Sequence, residues 1–357
     1  MDHRISYYKS INKYLKYYKT NGYENCLKNY KYKNGNPTFK LGTKIATDNI
    51  IGQGTYGIVF SGHFLHSHSH SHSHSHSHSH SHSHSHSHLQ SSSLSSSSLS
   101  KKLSLAIKIS EYTKENKLEA KLNEELTKYV INNMCPHFII FYAILICNQY
   151  GHHPDKHSLN ITKYKNATFL SNKEYYITLT ELAEGVFYDI ATSELKQEII
   201  DNCTIQCLIS MIFFNTLTSY CHDDTHLDNF LYSYINPGGY FHYNIYGVDY
   251  YLKNLGYLIA INDFGLVTPL NQNNLIKDII YFAKKLQNNK INKIANHLYY
   301  QMFKSSIIKM DLINKQKILY SLLFELLSKT DGFKEQFFYS NDKKPLNVIN
   351  KTPYIIR

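Results

Sequence analysis

Ile51-Gly52-Gln53-Gly54-Thr55-Tyr56-Gly57-Ile58-Val59 is the stretch on which the fold turns. Glycines in a G-x-G-x-x-G frame let backbone N–H groups approach phosphate oxygens with no Cβ in the way. Taken alone the frame is also a tight turn, and in dinucleotide-binding proteins it opens a helix. Here Ile58-Val59-Phe60 continues as an apolar run, so strand–turn–strand is expected. Further on, Leu105-Ala106-Ile107-Lys108-Ile109 is an apolar strand carrying one charge. An unpaired ammonium there would be costly, so a phosphate and a carboxylate partner make physical sense for Lys108.

Between these two pieces, His66 to His88 alternates strictly with serine and holds 12 of the 22 histidines; a Ser-rich stretch runs on to Ser100. Such a segment has little apolar surface to bury and is expected to be disordered. Gly57 and Lys108 are 51 positions apart, but only 16 once residues 66–100 are set aside. That spacing suits two strands and a tight turn, so the tract reads as an insertion in a hairpin loop. Neutral imidazoles in it could bind zinc, nickel or copper weakly; simple repeat expansion is the plainer account.

Two more motifs follow: His222-Asp223-Asp224-Thr225-His226-Leu227-Asp228-Asn229, and then Asp263-Phe264-Gly265. Singly, each Asp or Asn reads equally well as a turn or cap residue. In this order the four motifs resemble the protein-kinase superfamily, with its Gly-rich loop, strand lysine, catalytic loop and magnesium-binding DFG. The resemblance implies an α+β, two-lobed fold. A basic Lys/Tyr-rich extension (1–44) would precede a β-rich N-lobe with one main helix (45–185, carrying the 66–100 insertion) and a reduced α-helical C-lobe (186–357). It implies ATP and Mg2+ as cofactors. Ile51, Gly52, Gly54, Gly57 and Val59 would cover the nucleotide, Lys108 would meet its phosphates, and Glu181, Leu182 and Ala183 would form the hinge. Asp224 would accept or orient the acceptor's hydroxyl proton, and Asn229 and Asp263 would hold metal as hard oxygen ligands. The carboxylate partner of Lys108 should come from the helix read over Lys114–Asn133. Glu125 is placed first, then Glu124, with Glu119 third, because the helical register is open.

The chain also departs from the family pattern. Asp223 replaces an arginine that commonly contacts a phosphorylated activation loop. His226 stands where protein kinases usually carry lysine, a form more similar to aminoglycoside and choline kinases. Asn229 and Asp263 are 34 positions apart, and Pro237-Gly238-Gly239 with the aromatic stretch Tyr240–Tyr251 suggests an added hairpin. No Ala-Pro-Glu follows Gly265, and Asp278, 13 positions on in a helix read over Leu275–Leu286, resembles the aspartate that braces the catalytic loop. The expected activity is that of a divergent serine/threonine protein kinase transferring the ATP γ-phosphate to a hydroxyl. A small-molecule kinase and a catalytically silent scaffold are the alternatives. Large DNA viruses with AT-rich genomes carry divergent kinases of this look, which implies a giant-virus source.

Composition narrows the partners. The formal charge of +11 would suit an acidic partner, but the lysines are scattered among tyrosines and asparagines. Without a compact basic run, no nucleic-acid site is expected. Six cysteines form no CxxC pair and are expected to be reduced thiols. The N-terminus has no apolar signal-like run, and the longest apolar run, Phe138 to Cys147, is 10 residues. A soluble intracellular protein with no membrane contact is expected. Strands are read at Phe138–Ile146 and Tyr175–Glu181, separated by a polar loop, Asn148–Asn172. A helix face is read through Ile205, Leu208, Ile209, Ile212, Phe213 and Leu217. Residues 1–35 read as a solvated extension with a surface helix over Ile5–Tyr18.

Overall fold

A computed structural model describes residues 2–16, 18, 27–33, 36–54, 57–65, 103–147, 174–340 and 344–357. The His/Ser tract 66–100, the polar loop 148–172, Cys26, Thr55 and Tyr56 lie outside the described residues. The chain is mixed α+β. It opens with helix α1 (Asp2–Leu15), followed by strands β1 (Leu27–Lys33), β2 (Asn36–Leu41), β3 (Ile45–Gly54), β4 (Gly57–Phe64) and β5 (Ser104–Glu111). Helix α2 (Lys114–Ile131) and strands β6 (Phe141–Cys147) and β7 (Tyr175–Thr180) come next.

These seven strands make one antiparallel sheet in the order β1-β2-β3-β4-β5-β7-β6. Strand alternation sends Leu105, Ile107 and Ile109 of β5 into the core, and turns Ala106 and Lys108 to the opposite face. The described part of the Gly-rich stretch pairs β3 with β4: Gly52 opposite Val59, Gln53 opposite Ile58 and Gly54 opposite Gly57. Gly57 has a packing reason to be glycine, since a Cβ there would sit 2.3 Å from the carbonyl oxygen of Ile109 in β5. At the far end of β4 and β5, His63 pairs with Ser104 and the Phe64 N–H donates to Leu103 O at 3.0 Å. The two flanks of the tract therefore meet at one hairpin end.

The remainder begins with β8 (Gly185–Val186), helix α3 (Phe187–Thr192), helix α4 (Gln197–Thr218), β9 (Tyr220–Cys221) and β10 (Phe230–Tyr234). Strands β11 (Tyr240–Ile245), β12 (Val248–Lys253), β13 (Tyr257–Ile261) and β14 (Thr268–Pro269) precede helices α5 (Lys277–Leu286), α6 (Asn289–Met302), α7 (Ser305–Ile308) and α8 (Leu312–Lys329). Two short strands, β15 (Phe337–Tyr339) and β16 (Tyr354–Ile356), end the chain. Helix α4 is buried nearly all round, polar Asp201, Asn202, Gln206 and Asn215 included, and Ile205, Leu208, Ile209, Ile212 and Phe213 are buried on it. Among the described residues it is the helix long and apolar enough to cross a bilayer, but most of that span is buried inside the molecule, the position of a core helix.

Three expectations need correction. Residues 1–35 are not a solvated extension: Arg4, Ile11 and Leu15 of α1 are buried, and β1 and β2 extend the sheet. An edge strand pairs through its backbone, so a Lys- and Tyr-rich run can join a sheet with few apolar side chains. The last part is not purely helical, because β15 and β16 flank the added β11–β12 hairpin in a four-stranded sheet ordered β15-β12-β11-β16. The cysteines are not all reduced. Cys135, Cys203, Cys207 and Cys221 are free and buried, but Cys147 is disulfide-bonded.

Candidate active site

Lys108 projects from the middle of β5, paired on either side with Val59 and Thr178. Its Nζ donates to Glu119 at 2.7 Å (Oε1) and 3.0 Å (Oε2), and to Asp263 Oδ1 at 3.0 Å. The partner from α2 is thus Glu119, not Glu125 or Glu124, both of which are exposed. Helix α2 starts directly after its cap, Thr113, whose hydroxyl accepts from the Asn116 N–H. That early start brings Glu119 level with Lys108, while Glu125 lies about 9 Å further along the axis and on another face. The buried face of α2 mixes Asn116, Glu119, Asn123 and Thr127 with Ala120, Leu122, Leu126 and Val130.

The electrostatics follow from two carboxylates sharing one ammonium. Burial alone would depress the Lys108 pKa, but Glu119 and Asp263 outweigh it and hold the group above its ordinary range. Burial raises Glu119, and the neighbouring Asp263 charge adds to that against Lys108. Burial also acts to raise Asp263, yet Lys108 prevails and its carboxyl titrates below the usual range. Asp263 has a left-handed backbone (φ 64°) two residues after β13, and its side chain is partly exposed.

Strands β10 and β13 pair antiparallel, Phe230 opposite Ile261, and the Asn262 N–H donates to Asn229 O at 2.9 Å. This pairing sets Asn229 beside the Asp263 turn. Asn229 Nδ2 donates to the Asp224 backbone oxygen (2.7 Å) and to Asp224 Oδ2 (3.2 Å), which leaves Asn229 Oδ1 as a hard oxygen donor. His226 Nε2 lies 3.5 Å from the same Asp224 oxygen. Asp263 and Asn229 thus bring a carboxylate and an amide oxygen to this part of the molecule, hard donors of the type that suits Mg2+.

The loop holding Asp224 is braced from below. Buried Asp278 accepts from the His222 N–H (2.8 Å), the Asp223 N–H (2.9 Å) and Asn215 Nδ2 (3.1 Å). His222 Nε2 hydrogen-bonds Asn262 O (2.9 Å), and Phe264 stacks on Phe214 with ring centroids 4.8 Å apart. Cys221, Asp223 and Asp278 bring possible metal-ligand atoms within 4.8 Å of one another. Their acceptors are already engaged, Asp278 by those donors and Asp223 by Lys277 and Thr268, so the cluster serves as a brace.

Of the remaining expected residues, Gly52, Gly54, Gly57 and Val59 lie on the β3–β4 hairpin adjoining β5, and Ile51 is exposed. Glu181, Leu182 and Ala183 connect β7 to β8, and the Glu181 side chain binds Arg4 and the Ile140 N–H. A cavity of about 710 Å³ lies on that Arg4 side of residues 181–184, not over Lys108. Sequence reading missed Arg4. No family model matches the chain, and no curated protein matches it.

Proposed function

We propose that the chain is an ATP-dependent phosphotransferase with a two-lobed, protein-kinase-like arrangement, acting on a serine or threonine hydroxyl of a protein. The observation that carries this reading is the Lys108 ammonium bridging Glu119 and Asp263, beside Asn229 and Asp224. Lys108 would hold phosphate oxygens, with Glu119 fixing its position. Asp263 and Asn229 would hold Mg2+, which when bound neutralises charge on the phosphates. Asp224 would accept the proton of the attacking hydroxyl as its oxygen bonds to the γ-phosphorus and ADP leaves. Asn229, by donating to Asp224 Oδ2, orients that carboxylate.

A small hydroxyl compound as acceptor is the second reading, favoured by the short segment after Gly265. Thr268 and Pro269 pair with Cys221 and Tyr220, and the Leu270 N–H donates to Ser219 O at 2.8 Å. Folded onto the loop in this way, the segment offers little platform for a peptide.

Incubation with γ-labelled ATP, Mg2+ and mixed protein acceptors tests the proposal beside an Asp263→Ala control. Label on protein that vanishes in the control supports the first reading. ATP consumed without protein labelling supports the second. No consumption and no transfer would leave a scaffold, and the phosphotransferase reading would fail.

A further inference from the structure

We infer that Arg4 is a positioning residue for nucleotide binding, acting through Glu181; the inference rests on the phosphotransferase reading and deepens it. Arg4 is buried, 8% exposed, and four of its five guanidinium N–H groups donate to protein oxygens. Nε and Nη2 grip the two Glu181 oxygens at 2.7 and 2.6 Å, a bidentate fork. Nη1 and Nη2 also donate to Pro136 O (2.8 Å) and Phe138 O (2.7 Å).

Those two carbonyls flank His137, whose own carbonyl accepts from the Ile261 N–H at 3.0 Å. Ile261 ends β13, two residues before Asp263. On the other side of the fork, the Glu181 N–H donates to Ile140 O (2.8 Å) and Glu181 Oε2 accepts from the Ile140 N–H (3.2 Å). Three residues later the Glu184 N–H donates to Tyr232 O at 2.9 Å, in the strand that begins just after Asn229. One side chain of the N-terminal helix therefore ties residues 181–184 to the strand leading to Asp263, while Glu184 ties them to the strand leaving Asn229. With the adenine end of ATP at 181–183 and its phosphates at Lys108 and Asp263, Arg4 sets the span between the two ends of the nucleotide site.

A purely structural staple would change stability and leave nucleotide affinity alone, so the test reads affinity in folded variants. Arg4→Met keeps the volume and removes the fork. It is expected to melt cooperatively, to raise the Kd of ATP and ADP together by about tenfold, and to leave kcat at saturating ATP within about twofold. Glu181→Gln should weaken both nucleotides in the same direction, and the double variant should be no weaker than Arg4→Met, because both changes break one interaction. Wild-type affinity in folded Arg4→Met, or full additivity in the double variant, would overturn the inference. If Arg4→Met does not fold, Arg4→Lys replaces it, since a lone ammonium cannot reproduce the planar fork. ATP binding by the wild type separates the two ideas: without it the phosphotransferase reading fails first, and with it the Arg4 comparison stands by itself.

Discussion

Asp223 and Lys277 form an ion pair across the loop that follows Gly265, with Oδ1 2.6 Å from Nζ. The other Asp223 oxygen accepts from the Thr268 hydroxyl, and the Asp223 N–H donates to Asp278 Oδ1. Segment 266–277 is thus tied to residues 219–224 near its start and at its end. Under the proposed function, no added phosphate is needed to order it. Phosphatase treatment should leave phosphotransfer unchanged. Activity lost on dephosphorylation and regained on rephosphorylation would show that the segment needs a phosphate.

The same pair carries a pH signature. Burial acts to raise the Asp223 carboxyl, but hydrogen bonds from Lys277 and Thr268 outweigh it and hold the group below its usual range. A carboxyl depressed by folding stabilises the fold fully above its unfolded pKa of about 3.9, and that contribution is lost as pH falls through the lower folded value. Urea midpoints measured from pH 5 down to pH 2 should fall less steeply for Asp223→Asn than for wild type. Parallel titrations would mean that the pair contributes nothing.

Glu119→Gln should cut phosphotransfer by about 10²- to 10³-fold, the scale of removing one preorganised electrostatic contact. Glu125→Gln, on the exposed side of α2, should remain near wild type. The reverse ranking, measured as kcat with saturating Mg·ATP, would return the partnership to Glu125.

Asp278→Asn sets an amide against a carboxylate site that three N–H donors already fill. Breaking such a buried charged network should destabilise the fold by about 3 kcal/mol in urea unfolding. A change below about 0.5 kcal/mol, the size of an ordinary surface substitution, would show that the brace is dispensable.

Replacing residues 66–102 by a short Gly-Ser turn should preserve the fold, because the Phe64 N–H and Leu103 O already meet across the hairpin end. Loop-closure entropy predicts a gain of up to about 2 kcal/mol. Loss of cooperative unfolding in the shortened protein would show that the tract makes contacts the fold depends on.

Lys108, Asp224, Asn229 and Asp263 were legible in the sequence because each sits in a short local frame: one charge in an apolar strand, or polar groups at fixed offsets around a turn. The strands flanking the Gly-rich stretch were legible too, as apolar β-branched residues followed it directly. The added hairpin was legible too, from Pro237-Gly238-Gly239 and the aromatic run after it.

What tertiary structure alone decided are the partners. Glu119 faces Lys108 because of where α2 begins, and the charge-bearing residues of its buried face cannot be told from the exposed ones by residue type alone. Arg4 meets Glu181 across 177 positions of chain, a distance over which no local pattern carries information. The N-terminal strands entered the sheet through backbone pairing, which their lysines and tyrosines do not announce. Local sequence sets turns, periods and the residue types a site needs. Closure of the chain on itself sets which charges meet, because burial makes an unpaired Lys108 or Arg4 too costly to leave.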